Sequence, residues 1–110
     1  MIKVKDLMAL ERLLLEIDNR FKFQLRFSEV IELNGFLEEI GKITDLFFSL
    51  QDEHFRKFGD SDALTEYHEK LMEEEVKINT HRMIGLVNDV CNRFVDDEFA
   101  EIVLKNKFWD

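Results

Sequence analysis

Apolar and polar residues along this chain follow two different rhythms. Between Ser28 and Phe58 the positions Leu33, Phe36, Ile40, Ile43, Phe47, Leu50 and His54 step by three and four. That spacing lines side chains along one face of a helix. The stretch contains no proline and predicts a single rod about 46 Å long at roughly 1.5 Å per residue. Such a rod is several times deeper than a small core, so it must lean on a second long element or on another chain. Ser28 is placed to cap it, and Glu29 to favour its positive end. Gly35 and Gly41 lie inside it, each costing about 1 kcal/mol against alanine. They fit either a close approach by a neighbouring backbone or a bend.

Phe58-Gly59-Asp60-Ser61-Asp62 is the clearest turn. Gly59 suits the left-handed residue that ends a helix, and Ser61 or Asp62 suits the cap of the next. Leu64, Tyr67, His68, Leu71 and Met72 then form the apolar side of a helix reaching about Glu75. A short turn between helices makes them antiparallel neighbours. The two segments predict a helical hairpin whose return arm is about half the length of the first.

The second rhythm has a period of two. Ile2-Lys3-Val4-Lys5 and Val76–His81 each alternate apolar with polar, as half-buried strands do. Two short strands that each need a partner most economically pair with each other. Asp6 is placed to cap a helix carrying Leu7, Leu10, Leu13, Leu14 and Ile17, closed by Asp18-Asn19. Phe21, Phe23, Leu25 and Phe27 alternate strictly, predicting an extended segment over Phe21–Leu25. Near the C-terminus, Val87, Val90, Cys91 and Phe94 form one helical stripe. Asp96 is placed to cap a further helix with Phe99, Ile102 and Val103, its end packed by Phe108-Trp109. The expected fold is a single domain over residues 1–110, mainly α with minor β. It is a long antiparallel helical hairpin with a two-stranded sheet (2–5 with 76–81) and short C-terminal helices.

Composition narrows the role. The chain has 110 residues, 45% hydrophobic and 35% charged, which favours a packed core over disorder. Eleven phenylalanines stand against one Trp and one Tyr. Phe brings apolar area with no polar atom to satisfy, so it suits a dry core, or an exposed patch that binds a partner. Net charge is −9, which disfavours direct contact with nucleic acid or an anionic membrane. Seven acids and one base, Lys70, lie between Asp60 and Glu75. This run reads as a solvated helix face, or as a surface for a basic partner. Met1–Leu15 lacks the apolar core of a signal peptide, and no window approaches a membrane span. One cysteine cannot form an internal disulfide. The expected location is the cytoplasm.

Little here points to catalysis. His54 and His68 face each other across the expected hairpin, with Asp52, Glu53, Glu66 and Glu69 nearby, so a metal site can be drawn. The Glu-x-x-His pattern of carboxylate-bridged bundles is absent, because Gln51 and Thr65 precede the two histidines by three. Zinc spacings are absent as well. His81 lacks a nucleophile or orienting acid at fixed spacing, and Cys91 lies on an apolar stripe. Four scattered glycines make no phosphate cradle. No cofactor is expected.

The order of parts resembles small proteins of unknown function from tailed bacteriophages. The likeness covers about residues 1–105. It rests on the lysine-bearing strand Met1–Lys5 and on the long helix ending Phe-Arg-Lys-Phe-Gly (Phe55–Gly59). The acidic return helix Leu64–Ile78, closing in Glu-Glu-Val-Lys-Ile, completes it. Phe58 stands where the resemblance expects Tyr, and the Phe-rich Phe21–Phe27 segment is a departure. The resemblance implies a phage origin and a non-enzymatic role, and supplies no site residues. The expected activity is therefore protein interaction through the hairpin, by self-association into a homo-oligomer or docking on a larger assembly. The candidate contacts are Leu33, Phe36, Ile40 and Phe47 on the long helix, with Asp60, Asp62, Glu66, Glu69 and Glu73 on the return arm. The alternatives are an inhibitor of a host or defence enzyme whose acidic face mimics nucleic acid, and a small metal-dependent enzyme.

Overall fold

The computed structural model describes residues 1–106, so the packing expected of Phe108-Trp109 lies outside the described residues. The fold is mainly α with a small two-stranded sheet. Strand β1 (Ile2–Lys3) leads into helix α1 (Val4–Phe21), a 3₁₀ turn (Lys22–Gln24) and helix α2 (Phe27–Phe58). Helix α3 (Ser61–Glu73), strand β2 (Glu75–Val76), helix α4 (His81–Arg93) and helix α5 (Glu98–Asn106) follow. The overall extents are 48 × 27 × 23 Å, and the radius of gyration is 16.0 Å. A compact chain of this length would have about 13 Å.

The strands pair antiparallel, with Ile2 opposite Val76 and Lys3 opposite Glu75. The ladder is shorter than the sequence predicts because Val4 and Lys5 already belong to α1. The Val4 amide donates to the Glu74 carbonyl at 2.9 Å, and residues 77–80 have no strand to pair with. Beyond the ladder, Lys3 and Lys5 each place Nζ 2.8 Å from a Glu73 carboxylate oxygen. These two hydrogen-bonded ammonium groups hold the Glu73 carboxyl down to about 2.

Helix α1 is the centre of the core. Leu7, Leu10, Leu14 and Ile17 are fully buried, and packing extends the helix past its expected stop at Asp18-Asn19. Phe21 continues the stripe four residues after Ile17 and stacks on Phe94 with ring centroids 4.6 Å apart. The expected extended segment Phe21–Leu25 is therefore a helix end followed by a 3₁₀ turn. The alternating residues do not share one face, since Phe21 is buried while Phe23 is 99% exposed. Leu33 and Ile40 of α2, Met83, Leu86, Val87, Val90 and Cys91 of α4, and Ala100 and Val103 of α5 complete the core.

Helix α2 runs unbroken from Phe27. Ser28 lies in its first turn, and the cap position is Arg26, whose amide donates to Glu29 Oε1 at 2.9 Å. Nothing lies within 4 Å of where a Cβ would sit at Gly35 or Gly41, so no neighbouring backbone comes close there. The helix ends as its sequence predicts. Gly59 has φ 60°, and its amide donates to the Phe55 carbonyl at 2.7 Å. Asp60, rather than Ser61 or Asp62, caps α3, accepting from the amides of Asp62 at 2.9 Å and Ala63 at 3.4 Å. The same one-residue shift occurs at α5, where Asp97, rather than Asp96, accepts from the Phe99 amide at 2.8 Å.

A candidate interaction surface on the hairpin arm

The first half of α2 lies within the core, and the second half packs chiefly on α3. From Phe48 to Arg82 no residue is buried. The arm is held together by a narrow seam of mixed character. His68 packs edge-on to Phe47 with centroids 5.5 Å apart, and its Nδ1 lies 2.8 Å from Gln51 Oε1. His54 stacks on Tyr67 at 4.5 Å, the planes 9° apart. The side-chain nitrogens Gln51 Nε2 and His54 Nδ1 are enclosed without a hydrogen-bond partner. The two histidines thus have separate aromatic and amide neighbours. Among the described residues, no group of three or more His, Cys, Asp or Glu side chains is placed to hold a metal ion.

The candidate contacts separate into three groups. Leu33, Ile40 and Phe47 are enclosed within the protomer at 0%, 0% and 4% exposure, which corrects the expectation that they face a partner. The most apolar face of a helix is the first to be covered by its own chain. Phe36 is half-buried against the same core. The acids lie outside. Asp60 serves as the cap, Asp62, Glu66 and Glu69 are exposed, and Glu73 is tied to Lys3 and Lys5. Asp62, Glu66, Glu69 and Glu73 step by four, three and four, so they form one outward ridge along α3.

The uncovered apolar surface belongs to residues outside the predicted stripe. Phe48 is 58% exposed, Phe55 47% and Phe58 58%. Phe48 and Phe55 are seven residues apart, close to two turns, and flank the buried face. With Ser49, Gln51, Asp52 and Leu64 they line an open groove of ≈ 420 Å³ between α2 and α3. Both fall off the main three-four series. The signal that finds them is the second, parallel series Thr44, Phe48, Gln51, Phe55. A second aromatic outcrop, Phe23 and Phe27, sits at the α1–α2 corner.

Other groups with potential chemistry are constrained. Cys91 is buried, and burial pushes its thiol up to about 11, which leaves it protonated and unreactive. His81 lines a shallow groove with Glu32 and Arg82, whose side chains pair at 3.4 Å. Arg93 is bound to Glu29. No described helix is long and apolar enough to cross a membrane. Comparison of the chain with protein-family models, curated proteins and solved structures found no match.

Proposed function

We propose that this chain is a non-enzymatic protein-interaction module that works through the hairpin arm, in a phage accessory or virion-assembly role. The observation that supports it is the open Phe48–Phe55–Leu64 groove on an arm with no buried residue of its own. A two-helix arm that buries so little leaves apolar surface for a further helix to cover. The phage setting rests on the resemblance in the order of strand, long helix, acidic return helix and Glu-Glu-Val-Lys-Ile segment.

Apolar docking is insensitive to salt, whereas contacts between exposed charges are screened. The test is light scattering after size exclusion, at low and high salt, on the natural protein and on Phe48→Asp/Phe55→Asp. Salt-resistant association that the double variant abolishes, with the helical circular dichroism unchanged, is the expected result. Association that the double variant leaves intact overturns the reading.

The acidic ridge favours a second reading. Asp62, Glu66 and Glu69 present solvated carboxylates on one face of α3, and a basic, nucleic-acid-binding enzyme would recognise that pattern. Under this reading the protein inhibits such an enzyme, its binding collapses with salt, and Glu66→Gln/Glu69→Gln weakens it while Phe48→Asp does not.

A further inference from the structure

We infer that the occupant of the Phe48–Phe55 groove is a basic amphipathic helix of another protein, its apolar stripe seated between α2 and α3 and its lysines or arginines laid along α2; this deepens the interaction-module reading and rests on it. The geometry of the groove suits a helix. Phe48 and Phe55 stand seven residues apart with Gln51 between them, which is the a–d–a spacing of a helix-packing seam. Thr44 carries the same seam back into the protomer, where it is buried and its hydroxyl donates to Glu11 of α1 at 3.1 Å. A further helix in the groove therefore continues a track that α1 already occupies at one end.

The flank of that seam selects the helix. Glu38, Asp45 and Asp52 recur every seven residues and are exposed. At about 100° per residue, Asp52, Asp45 and Glu38 stand roughly 40°, 60° and 80° round α2 from Phe48. A row in that position meets the flanking row of an incoming helix and sets partner choice. All three of its residues are acidic, and it runs about 21 Å at roughly 1.5 Å per residue. Arg56 stands on the same side and pairs with Asp52. That pair is 4.0 Å long, with the two side chains 75% and 82% exposed, so the carboxylate is open to a closer cation. Lys42 and Lys57 lie further round α2, at about 120° and 180°. From α3 the groove takes only the uncharged Leu64.

Charge complementarity separates the possible occupants. In a two-fold contact through Phe48 and Phe55, Asp52 meets its own counterpart, which disfavours a second copy. An acidic helix is repelled along the whole row. A basic helix is matched at each position, and the net charge of −9 steers it in from solution. The exposed ridge of Asp62, Glu66 and Glu69 is on the far side of α3 from Leu64 and does not enter the contact.

The test is calorimetric titration of the full chain with two synthetic helical peptides of about 21 residues, enough to span the row from Glu38 to Asp52. Both carry leucine at the a and d positions. One carries lysine at e and g and the other glutamate, and the like-charged flanks keep each peptide from pairing with itself. The lysine-flanked peptide is expected to bind at least about tenfold more tightly at low salt. Phe48→Ala/Phe55→Ala abolishes that binding with the helical circular dichroism unchanged. Asp45→Asn/Asp52→Asn weakens it about threefold or more and narrows the preference between the peptides. Glu66→Gln/Glu69→Gln, the same change in net charge, leaves it in place. Equal, Phe48-dependent binding of both peptides overturns the basic helix and leaves the interaction reading standing. A Phe48-dependent affinity that falls as much in Glu66→Gln/Glu69→Gln as in Asp45→Asn/Asp52→Asn does the same. Binding indifferent to Phe48 and Phe55 overturns both. If neither peptide binds, the basic helix is overturned, and the interaction reading stands only if the chain self-associates through Phe48 and Phe55.

Discussion

Helix α2 passes through two environments. Around Leu33 and Ile40 it is wrapped by α1 and α4, and every apolar residue on its main stripe is buried or half-buried. Past Phe47 it continues with one short companion, α3, and no whole residue of it is buried. The same helical periodicity therefore produces a core in one half and a seam in the other. What differs is the number of neighbours, since one flanking helix covers only part of an apolar face and two or three close over it. Burial concentrates around α1, and the arm keeps Phe48 and Phe55 exposed.

The comparison breaks most directly at Leu14 and Leu64. Leu14→Ala removes a fully buried side chain from α1 and is expected to cost about 2–5 kcal/mol. Leu64→Ala, at a half-buried arm position, is expected to cost less than about 1 kcal/mol, since little of its area leaves water. Equal losses in urea melts would show that the arm is as much core as the rest. Next in size is the cap. Asp60→Ala leaves the Asp62 and Ala63 amides unpaired, and about 1 kcal/mol should be lost. Hydrogen exchange should report that loss chiefly in α3, with the α1 amides unchanged.

Of similar size and opposite sign is Gly41→Ala. A Cβ there meets open space and the residue is helical, so melts should show a gain of about 0.4–1 kcal/mol. No gain would mean that the helix needs its glycine. The smallest effect joins the two regions, at Glu73. Its carboxyl is held at about 2, against an ordinary 4.5, by Lys3 and Lys5. A carboxyl depressed on folding contributes stability above its unfolded value and loses it as pH falls. The contribution is therefore full above about pH 5 and fades toward about pH 2. Glu73→Gln should flatten that acid limb slightly in melts taken across the range, because exposed pairs are heavily screened. An unchanged limb would show that the lysines do not distinguish the folded state.

Local signals in the chain carry through to the fold. The span of α2, the left-handed Gly59 and the antiparallel α2–α3 hairpin follow from residue spacing and turn chemistry. That the N-terminal strand pairs with the one at Val76 follows from the need of each for a partner, while the register and the short ladder belong to the fold. The caps of α3 and α5 stand one residue from the expected ones because Asp60, Ser61 and Asp62 are all competent caps, as are Asp96 and Asp97. Helix α2 begins after Arg26 and α1 after Lys3, so the expected caps Ser28 and Asp6 both lie inside their first turns. The alternation of segment Phe21–Leu25 yields no strand, because Phe21 ends α1 and packs on Phe94.

The amino-acid order thus dictated which residues share a face, where the rod stops and where it turns back, because those depend on backbone preferences a few residues long. It did not dictate which face would be left bare. Leu33, Ile40 and Phe47 disappeared into the protomer and Phe48 and Phe55 stayed out. That outcome turned on how far α1 and α4 extend along α2, and coverage of that kind is a property of the assembled helices that no single segment encodes.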